Sequence, residues 1–270
     1  MRLTESARAF FPLTSVPNDC AGYAEYAPCA ALAPYVRCFW TARGERRLVN
    51  PDVCADIMFT ARGVFFSGVS GEPFTGGEDG CAFGIRFYAW SAWLFADDAL
   101  RGTQDGCFEA AAHFGSAARG LFPLISEAGS VTERIAAAER WLLGRLYGGV
   151  CGGETLMRAA GLIAERRGVI TVGELSRELF ICPRALERVF AEYAGISPKR
   201  LAALVRYQSV WRDLVTLPRV SLAGLAAEYG YADQAHLTRD FTRRHSMPPL
   251  AALAYARRAQ QGAGERREAL

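Results

Sequence analysis

Residues 172–198 read VGELSRELFICPRALERVFAEYAGISP, and a related pattern returns at 222–249 as LAGLAAEYGYADQAHLTRDFTRRHSMPP. The offset between the two is 50 residues at first and 51 later, where Phe190 aligns with Phe241. Similarity at a nearly constant offset indicates that one supersecondary unit is used twice.

Each unit is predicted to be a helix, a tight turn and a second helix. In the first unit, Thr171 and Glu174 have the spacing of a capping box, and residues 180–182 form the turn. Pro183 suits the first position of the second helix, where its missing N–H costs nothing. The second helix is expected to bury Leu186, Val189, Phe190 and Tyr193 and to expose Arg184, Glu187, Arg188 and Ala191.

The second unit follows the same plan. Ser221 and Asp233 are the predicted N-caps of its two helices, and Leu237 and Phe241 anchor the second helix. Between the units, residues 201–214 have the periodicity of one long helix that would hold the two units at a fixed separation.

This arrangement predicts binding to double-stranded DNA, since a helix-turn-helix places its second helix in the major groove. Two units on a rigid connector can enter successive grooves, about 34 Å apart. Arg188 and Arg239 hold equivalent outward positions, and each can bind a guanine or a phosphate. The alternative is a solvated face whose arginines pair with Glu187 and Asp240. The candidate DNA-binding residues are Arg184, Glu187, Arg188, Lys199, Arg200, Gln234, His236, Thr238, Arg239, Arg243 and Arg244, of which Lys199, Arg200, Arg243 and Arg244 are expected at the DNA backbone.

The first half of the chain has a different pattern. Short aromatic or β-branched runs at 35–40, 56–59, 63–69 and 83–87 predict strands, and the four glycines and one proline within 71–80 predict turns. The pattern turns helical from about Ala89, with a helix over 131–146. We therefore expect a two-domain α+β protein. Its first domain would be a small barrel- or sandwich-like β domain with flanking helices, and its second an all-α domain with two helix-turn-helix units.

Charge also divides the chain. Residues 1–150 contain 13 Arg against 16 Asp and Glu, a net charge of −3, whereas residues 151–270 contain 18 Arg and Lys against 12 Asp and Glu, a net charge of +6. A basic half suggests contact with a polyanion. Paired glycines near 148–153 favour a flexible joint, so the predicted domains are 1–150 and 151–270.

Residues 155–256 resemble the DNA-binding domain of the AraC/XylS family of transcriptional regulators. The resemblance is carried by Leu175, the run 186–190, the run 195–198, the run 225–231, the run 237–241, and Pro248 and Pro249. It implies a sequence-specific regulator that contacts RNA polymerase if it is an activator. The chain departs from the family at Phe180 and Cys182, where Gly and a capping Ser are usual, and at Ser246, where Gly is usual. A strained and poorly capped first turn is therefore expected.

The first half is similar, more weakly, to the small β-rich sensor domain of one branch of this family. That similarity rests on 32–40, 50–59 and 84–87, and it implies that the first half senses a ligand or forms a homodimer. The candidate ligand-binding residues, which offer aromatic walls and two orienting charges, are Trp40, Asp56, Phe59, Phe66, Arg86 and Phe87. These residues could equally be core, with Arg86 paired to Asp56. The alternatives are a thiol or metal sensor and a purely dimerising module.

Other classes find little support in the sequence. The chain has eight cysteines with no C-x-x-C pair and three histidines, and it lacks hydrolase, zinc-protease and nucleotide-binding motifs. We therefore expect no enzyme activity, no metal and no cofactor. No apolar run reaches the roughly 18 residues of a membrane span, and the N-terminus lacks the apolar core of a secretion signal. A cytoplasmic protein is expected.

Overall fold

The computed structural model describes residues 22–44, 47–76, 81–146 and 153–268. Its first part contains a six-stranded antiparallel sheet in the order β1-β2-β7-β4-β5-β8 and a two-stranded sheet of β3 and β6. The strands are β1 Tyr23–Tyr26, β2 Val36–Arg43, β3 Arg47–Val49, β4 Cys54–Thr60, β5 Gly63–Ser67, β6 Phe74–Gly76, β7 Cys81–Tyr88 and β8 Cys107–Glu109.

Helices make up the rest of the described structure. They are α1 Ala111–Ser126, α2 Val131–Leu146, α3 Glu154–Glu165, α4 Val172–Leu179, α5 Pro183–Tyr193, α6 Pro198–Thr216, α7 Leu222–Glu228, α8 Gln234–His245 and α9 Pro249–Glu268. A short 3-10 helix, Ala92–Phe95, precedes β8. None of the helices among the described residues has the length and apolarity to cross a membrane.

The predicted fold class, a β-rich first part followed by a helical second part, is confirmed, and so are the four predicted strands and the helix over 131–146. Two details of the sequence interpretation were wrong. The glycine-rich segment 71–80 holds strand β6, and β8 follows the point where a helical pattern was expected to begin. The predicted boundary at residue 150 lies outside the described residues and stays a prediction.

The apolar core forms two clusters of buried side chains. One extends from the sheet through α3 to the first helix-turn-helix unit and includes Leu201 and Val205 of α6. The other belongs to the second unit and includes Trp211 and Leu214 at the far end of α6. Helix α6 therefore contributes to both clusters, and each helix-turn-helix unit is fixed to it by buried apolar contacts.

The first part of the chain contacts both units. The amide of Leu100 donates to the carbonyl of Glu192 at the end of α5 (2.8 Å), and the ring of Trp93 packs edge-on against Tyr193 at 5.1 Å between ring centroids. The loop between β3 and β4 reaches α6, where Gln208 Nε2 donates to the Pro51 carbonyl (2.6 Å). These buried contacts hold the sheet and the helical units together.

Candidate nucleic-acid interface

The first helix-turn-helix unit is positioned by the capping predicted from the sequence. The Glu174 amide donates to Thr171 Oγ1 (3.2 Å), and the Thr171 amide donates to Glu174 Oε2 (2.7 Å), which completes the capping box at the start of α4. Helix α5 begins at Pro183, as expected. The cap and the proline fix where α5 starts and therefore which of its side chains face outward.

Helix α5 presents the expected face. Leu186 and Phe190 are buried in the core, whereas Arg184, Glu187 and Arg188 are exposed. Since residues three and four apart share a face of a helix, the three exposed residues form one polar strip along α5.

The second unit repeats this construction. The Gly224 amide donates to Ser221 Oγ (3.3 Å) and the His236 amide to Asp233 Oδ1 (2.6 Å), so both predicted N-caps are confirmed. Leu237 and Phe241 are buried. Helix α8 exposes Gln234 and Arg239, with Thr238 half-buried beside them.

His236 lies on α8, and its side chain contacts the turn that precedes this helix. The Ala232 amide donates to its Nδ1 (3.4 Å), and its ring stands edge-on to Tyr231 at 5.2 Å between centroids. The side chain is half-buried. Compared with Gln234 and Arg239, His236 is held closer to the protein.

The departures from the usual sequence pattern have structural consequences in both units. Phe180 has φ of 54° and Ser246 has φ of 61°, the left-handed region that favours glycine. The ring of Phe180 is 95% exposed, so no burial compensates for its backbone conformation. Cys182 is the N-cap of α5 and accepts no side-chain hydrogen bond. The expectation of a strained and poorly capped first turn is confirmed.

The basic residues expected at the DNA backbone differ in how they are placed. Lys199 and Arg200 in the first turn of α6 are exposed, and so is Arg243 at the end of α8. Arg244 is the exception, because it is buried and its Nη1 donates to the Gly71 carbonyl (3.1 Å). The expectation that Arg244 contacts the DNA backbone stays a prediction, and such a contact would require this bond to break.

The six candidate ligand residues of the first half do not line one site. Trp40, Asp56 and Arg86 meet on one face of the large sheet, where Trp40 Nε1 donates to Asp56 Oδ1 (2.7 Å) and Arg86 Nε to the same oxygen (2.9 Å). The expected pairing of Arg86 with Asp56 is confirmed. The Trp40 indole lies directly over Gly84, where a Cβ atom would stand 2.0 Å from the ring, so only glycine fits there.

The other three candidates, Phe59, Phe66 and Phe87, lie on the opposite face, because side chains alternate along a strand. They are buried against further aromatic rings, with Phe66 4.9 Å from Phe114 and Phe87 5.2 Å from Phe95 between centroids. These three phenylalanines are therefore part of the core, which corrects the expectation that they line a ligand site.

The polar face of the sheet holds a buried charge cluster that the sequence analysis missed. Besides Asp56, Arg86 contacts Asp52 (3.1 Å) and Glu25 (3.8 Å), and Glu25 pairs with Arg37 (2.7 Å). Burial raises the pKa of Asp52, whereas for Glu25 the nearby Arg37 outweighs burial and lowers the pKa. These residues, together with Asp56, lie on four strands and a loop, and no local motif distinguishes them.

The cysteines provide little support for thiol chemistry. Burial raises the pKa of Cys38 to about 12 and raises that of Cys54 as well, so neither forms a thiolate readily. Cys107 and Cys182 are exposed. Within the described ranges, no three His, Cys, Asp or Glu side chains come together in a way that could hold a metal ion.

Comparison with known proteins locates two family matches. Residues 175–254 match a family model described as a helix-turn-helix domain, and residues 24–109 match one described as a domain of unknown function. No curated protein matches the chain. Among solved structures, the chain is similar to ToxT from Vibrio cholerae. An apo form of a ToxT variant gives 10% identity and a TM-score of 0.37, covering 92% of this chain and 94% of that one. A second ToxT structure gives 10% identity and a TM-score of 0.35, with 91% and 94% covered.

Proposed function

We propose that this chain, an AraC/XylS-family transcription regulator with a β-rich first half, reads double-stranded DNA by inserting α5 and α8 into successive major grooves. The observation that carries the proposal is the equivalent placement of Arg188 and Arg239. Each is exposed on the second helix of its unit, and α6 joins the two units through buried contacts. A fixed pair of outward helices suits two grooves on one face of a duplex.

The chemistry of the exposed side chains supports this assignment. An arginine can donate two hydrogen bonds to O6 and N7 of guanine, a glutamine can bind adenine at N6 and N7, and a glutamate can accept from the cytosine amino group. Arg188, Arg239, Gln234 and Glu187 are all exposed on α5 or α8. Lys199 lies exposed at the start of α6, where it would bind phosphate and fix the register of the protein on DNA.

The test is selection from a randomised duplex pool with the full chain at about 150 mM salt, where non-specific binding is already weakened. Two short enriched blocks about one helical turn apart are expected. Arg188→Ala should lose the preference within one block and Arg239→Ala within the other. Arg140→Ala, which removes an exposed arginine from α2, is the matched control and should retain both blocks. The proposal would be contradicted if no sequence is enriched, or if neither Arg188→Ala nor Arg239→Ala changes the enriched blocks.

For the first half we propose a small-molecule effector that binds on the polar face of the sheet. Trp40 stacks with Tyr23 at 6.2 Å between centroids and offers an aromatic wall, while Asp56 and Arg86 offer charges that could orient a ligand. The raised pKa of Cys38 disfavours the alternative of a thiol sensor. A purely dimerising module would bind no small molecule, so ligand binding distinguishes a sensor from such a module.

A thermal-shift screen of small polar aromatic compounds separates these possibilities, because a ligand that binds only the folded state raises Tm. The expected hit shifts the Tm of the wild-type chain and shifts that of Asp56→Asn less. A hit whose shift is the same in both would place its site elsewhere, and a change of oligomeric state with no hit would favour the dimerising module.

A further inference from the structure

Three of the basic residues expected at the DNA backbone are engaged by the first half of the chain. Arg200 Nη2 donates to Asp105 Oδ2 (3.3 Å), Arg243 forms an ion pair with Glu72, and Arg244 donates to the Gly71 carbonyl (3.1 Å). Arg200 lies in the first turn of α6, next to the first unit, whereas Arg243 and Arg244 lie in the last turn of α8 in the second unit. The partners therefore reach both helix-turn-helix units.

The partners are held in place by one another. Asp105 Oδ1 accepts a hydrogen bond from the Gly71 amide (2.6 Å), and Ser70 Oγ, which lies 3.4 Å from the same oxygen, donates to the Glu72 carbonyl (2.6 Å). The loop 70–72 is thus fixed to Asp105. Burial alone would raise the pKa of Asp105, but the hydrogen bond from the Gly71 amide and the charge of Arg200 outweigh burial and lower the pKa below its usual value, so the carboxyl is ionised at neutral pH.

Carboxylates and phosphates are recognised by arginine in the same way, through N–H groups that point at anionic oxygens. Resting on the proposed DNA-binding function, we infer that Glu72 and Asp105 compete with DNA phosphates for Arg243 and Arg200. While these ion pairs are formed, the first half of the chain weakens DNA binding. Release of the loop 70–72 frees these arginines for the DNA backbone.

The restraint acts on backbone contacts and leaves base reading open, since Arg188 and Arg239 are exposed while the pairs are formed. Affinity and its salt dependence should therefore respond to loss of a pair, and sequence preference should not. The side chains of both pairs are between 37% and 51% exposed, so the pairs are weak and are screened by salt. DNA can displace such pairs without unfolding of either unit.

The experiment measures binding of the full chain to its selected duplex between about 50 and 200 mM salt. Glu72→Gln removes a carboxylate and leaves the backbone bonds of the loop intact. It should bind about 2- to 5-fold tighter at the low-salt end, the range typical of one exposed ion pair. The slope of log K against log salt should steepen by about one, as for one added phosphate contact.

The matched control is Glu127→Gln, which removes an exposed carboxylate at the end of α1 in the same half of the chain. It changes the net charge equally and should leave the affinity within 1.5-fold of wild type. Arg243→Gln should abolish the gain when combined with Glu72→Gln, although Arg243 also bonds to Asp240 on its own helix (3.0 Å).

Equal affinity of Glu72→Gln and Glu127→Gln for a duplex that the wild-type chain prefers would overturn the inference and leave the proposed function standing. Weaker binding by Glu72→Gln would overturn it too, because the ion pair would then orient Arg243 for DNA binding and would not compete with it. If the wild-type chain prefers no duplex, the proposed function fails, and the inference fails with it.

Discussion

The phenol oxygen of Tyr207 lies 2.7 Å from Nδ1 of His245, and Asn50 Nδ2 lies 3.3 Å from the same nitrogen. An amide nitrogen and a phenol can each donate to an unprotonated ring nitrogen. Burial lowers the pKa of His245 to about 4, so the ring is neutral at neutral pH. Asn50 belongs to the sheet half, so a neutral His245 joins that half to α6 and α8.

Acid should weaken the fold through His245. Burial lowers its pKa from 6.5 to about 4, so between pH 6.5 and pH 4 His245 is protonated in the unfolded chain and neutral in the folded chain. The stabilising contribution is complete above pH 6.5 and is lost as the pH falls towards 4. At about 1.4 kcal/mol per unit it amounts to up to about 3 kcal/mol.

Urea unfolding at several pH values tests this contribution with His245→Gln. The variant loses ring packing, with Trp211 at 4.5 Å between centroids, and should be less stable at pH 7. Between pH 7 and pH 4, however, its free energy of unfolding should fall less steeply than that of the wild-type chain. Parallel curves for the two proteins would show that His245 does not carry the pH dependence.

Replacing Phe180 with glycine should stabilise the protein. The residue has φ of 54° and an exposed ring, so Phe180→Gly relieves backbone strain without uncovering core. The left-handed conformation costs a non-glycine residue about 1–2 kcal/mol, part of which is offset by the greater freedom of glycine in the unfolded chain. A gain of about 0.5–1 kcal/mol in chemical denaturation is expected. Arg177→Gly, at an exposed position of α4, should instead lose about 1 kcal/mol.

A serine at position 182 should improve the start of α5. The cysteine there is an N-cap with no side-chain hydrogen bond, and a hydroxyl could accept from a free amide of the first turn. Cys182→Ser is expected to raise the free energy of unfolding by about 0.5–1 kcal/mol. Cys107→Ser makes the same change at an exposed position of β8, which caps no helix. Equal effects of the two substitutions would argue against capping as the cause.

Lys199 and Arg188 should affect DNA binding differently. Lys199→Ala is expected to weaken binding uniformly across sequences and to lower the salt slope by about one, since a phosphate contact carries no sequence information. Arg188→Ala should cost about 1–3 kcal/mol and relax specificity at one base pair. Competition assays with singly substituted duplexes separate the two, and a loss of specificity in Lys199→Ala would contradict its assignment to the backbone.

The helical half could be predicted closely because its signals are local. Thr171, Ser221 and Asp233 cap helices within three residues of themselves, and the outward positions of Arg188 and Arg239 follow from helical periodicity. Arg244 comes seven residues after Leu237 and three after Phe241, so the same periodicity places it on the buried face of α8, a local signal that the sequence interpretation did not use. Its partner Gly71 is 173 residues away in the chain, and no local pattern identifies that partner.

The sheet half was less predictable for the same reason. Strand β6 lies in a glycine-rich segment of low strand propensity and is recruited by pairing with β3, where Arg47 is opposite Gly76. Alternation along β4 and β7 separates Asp56 and Arg86 from Phe59 and Phe87. That alternation was available from the sequence and was not used, whereas the contact of Asp52 with Arg86 (3.1 Å) comes from a loop and has no local signal.

Helix α6 sets the spacing between the two helix-turn-helix units. Since its two ends are embedded in different clusters of buried side chains, the distance and the twist between α5 and α8 are set by a single rod of 19 residues. One base pair inserted between the two halves of a binding site would rotate the second half by about 35° around the duplex axis, given about 10.5 base pairs per turn. The protein has no joint in this rod to follow that rotation, so the DNA would have to untwist instead. Spacing between the two blocks should therefore be read as strictly as the bases themselves.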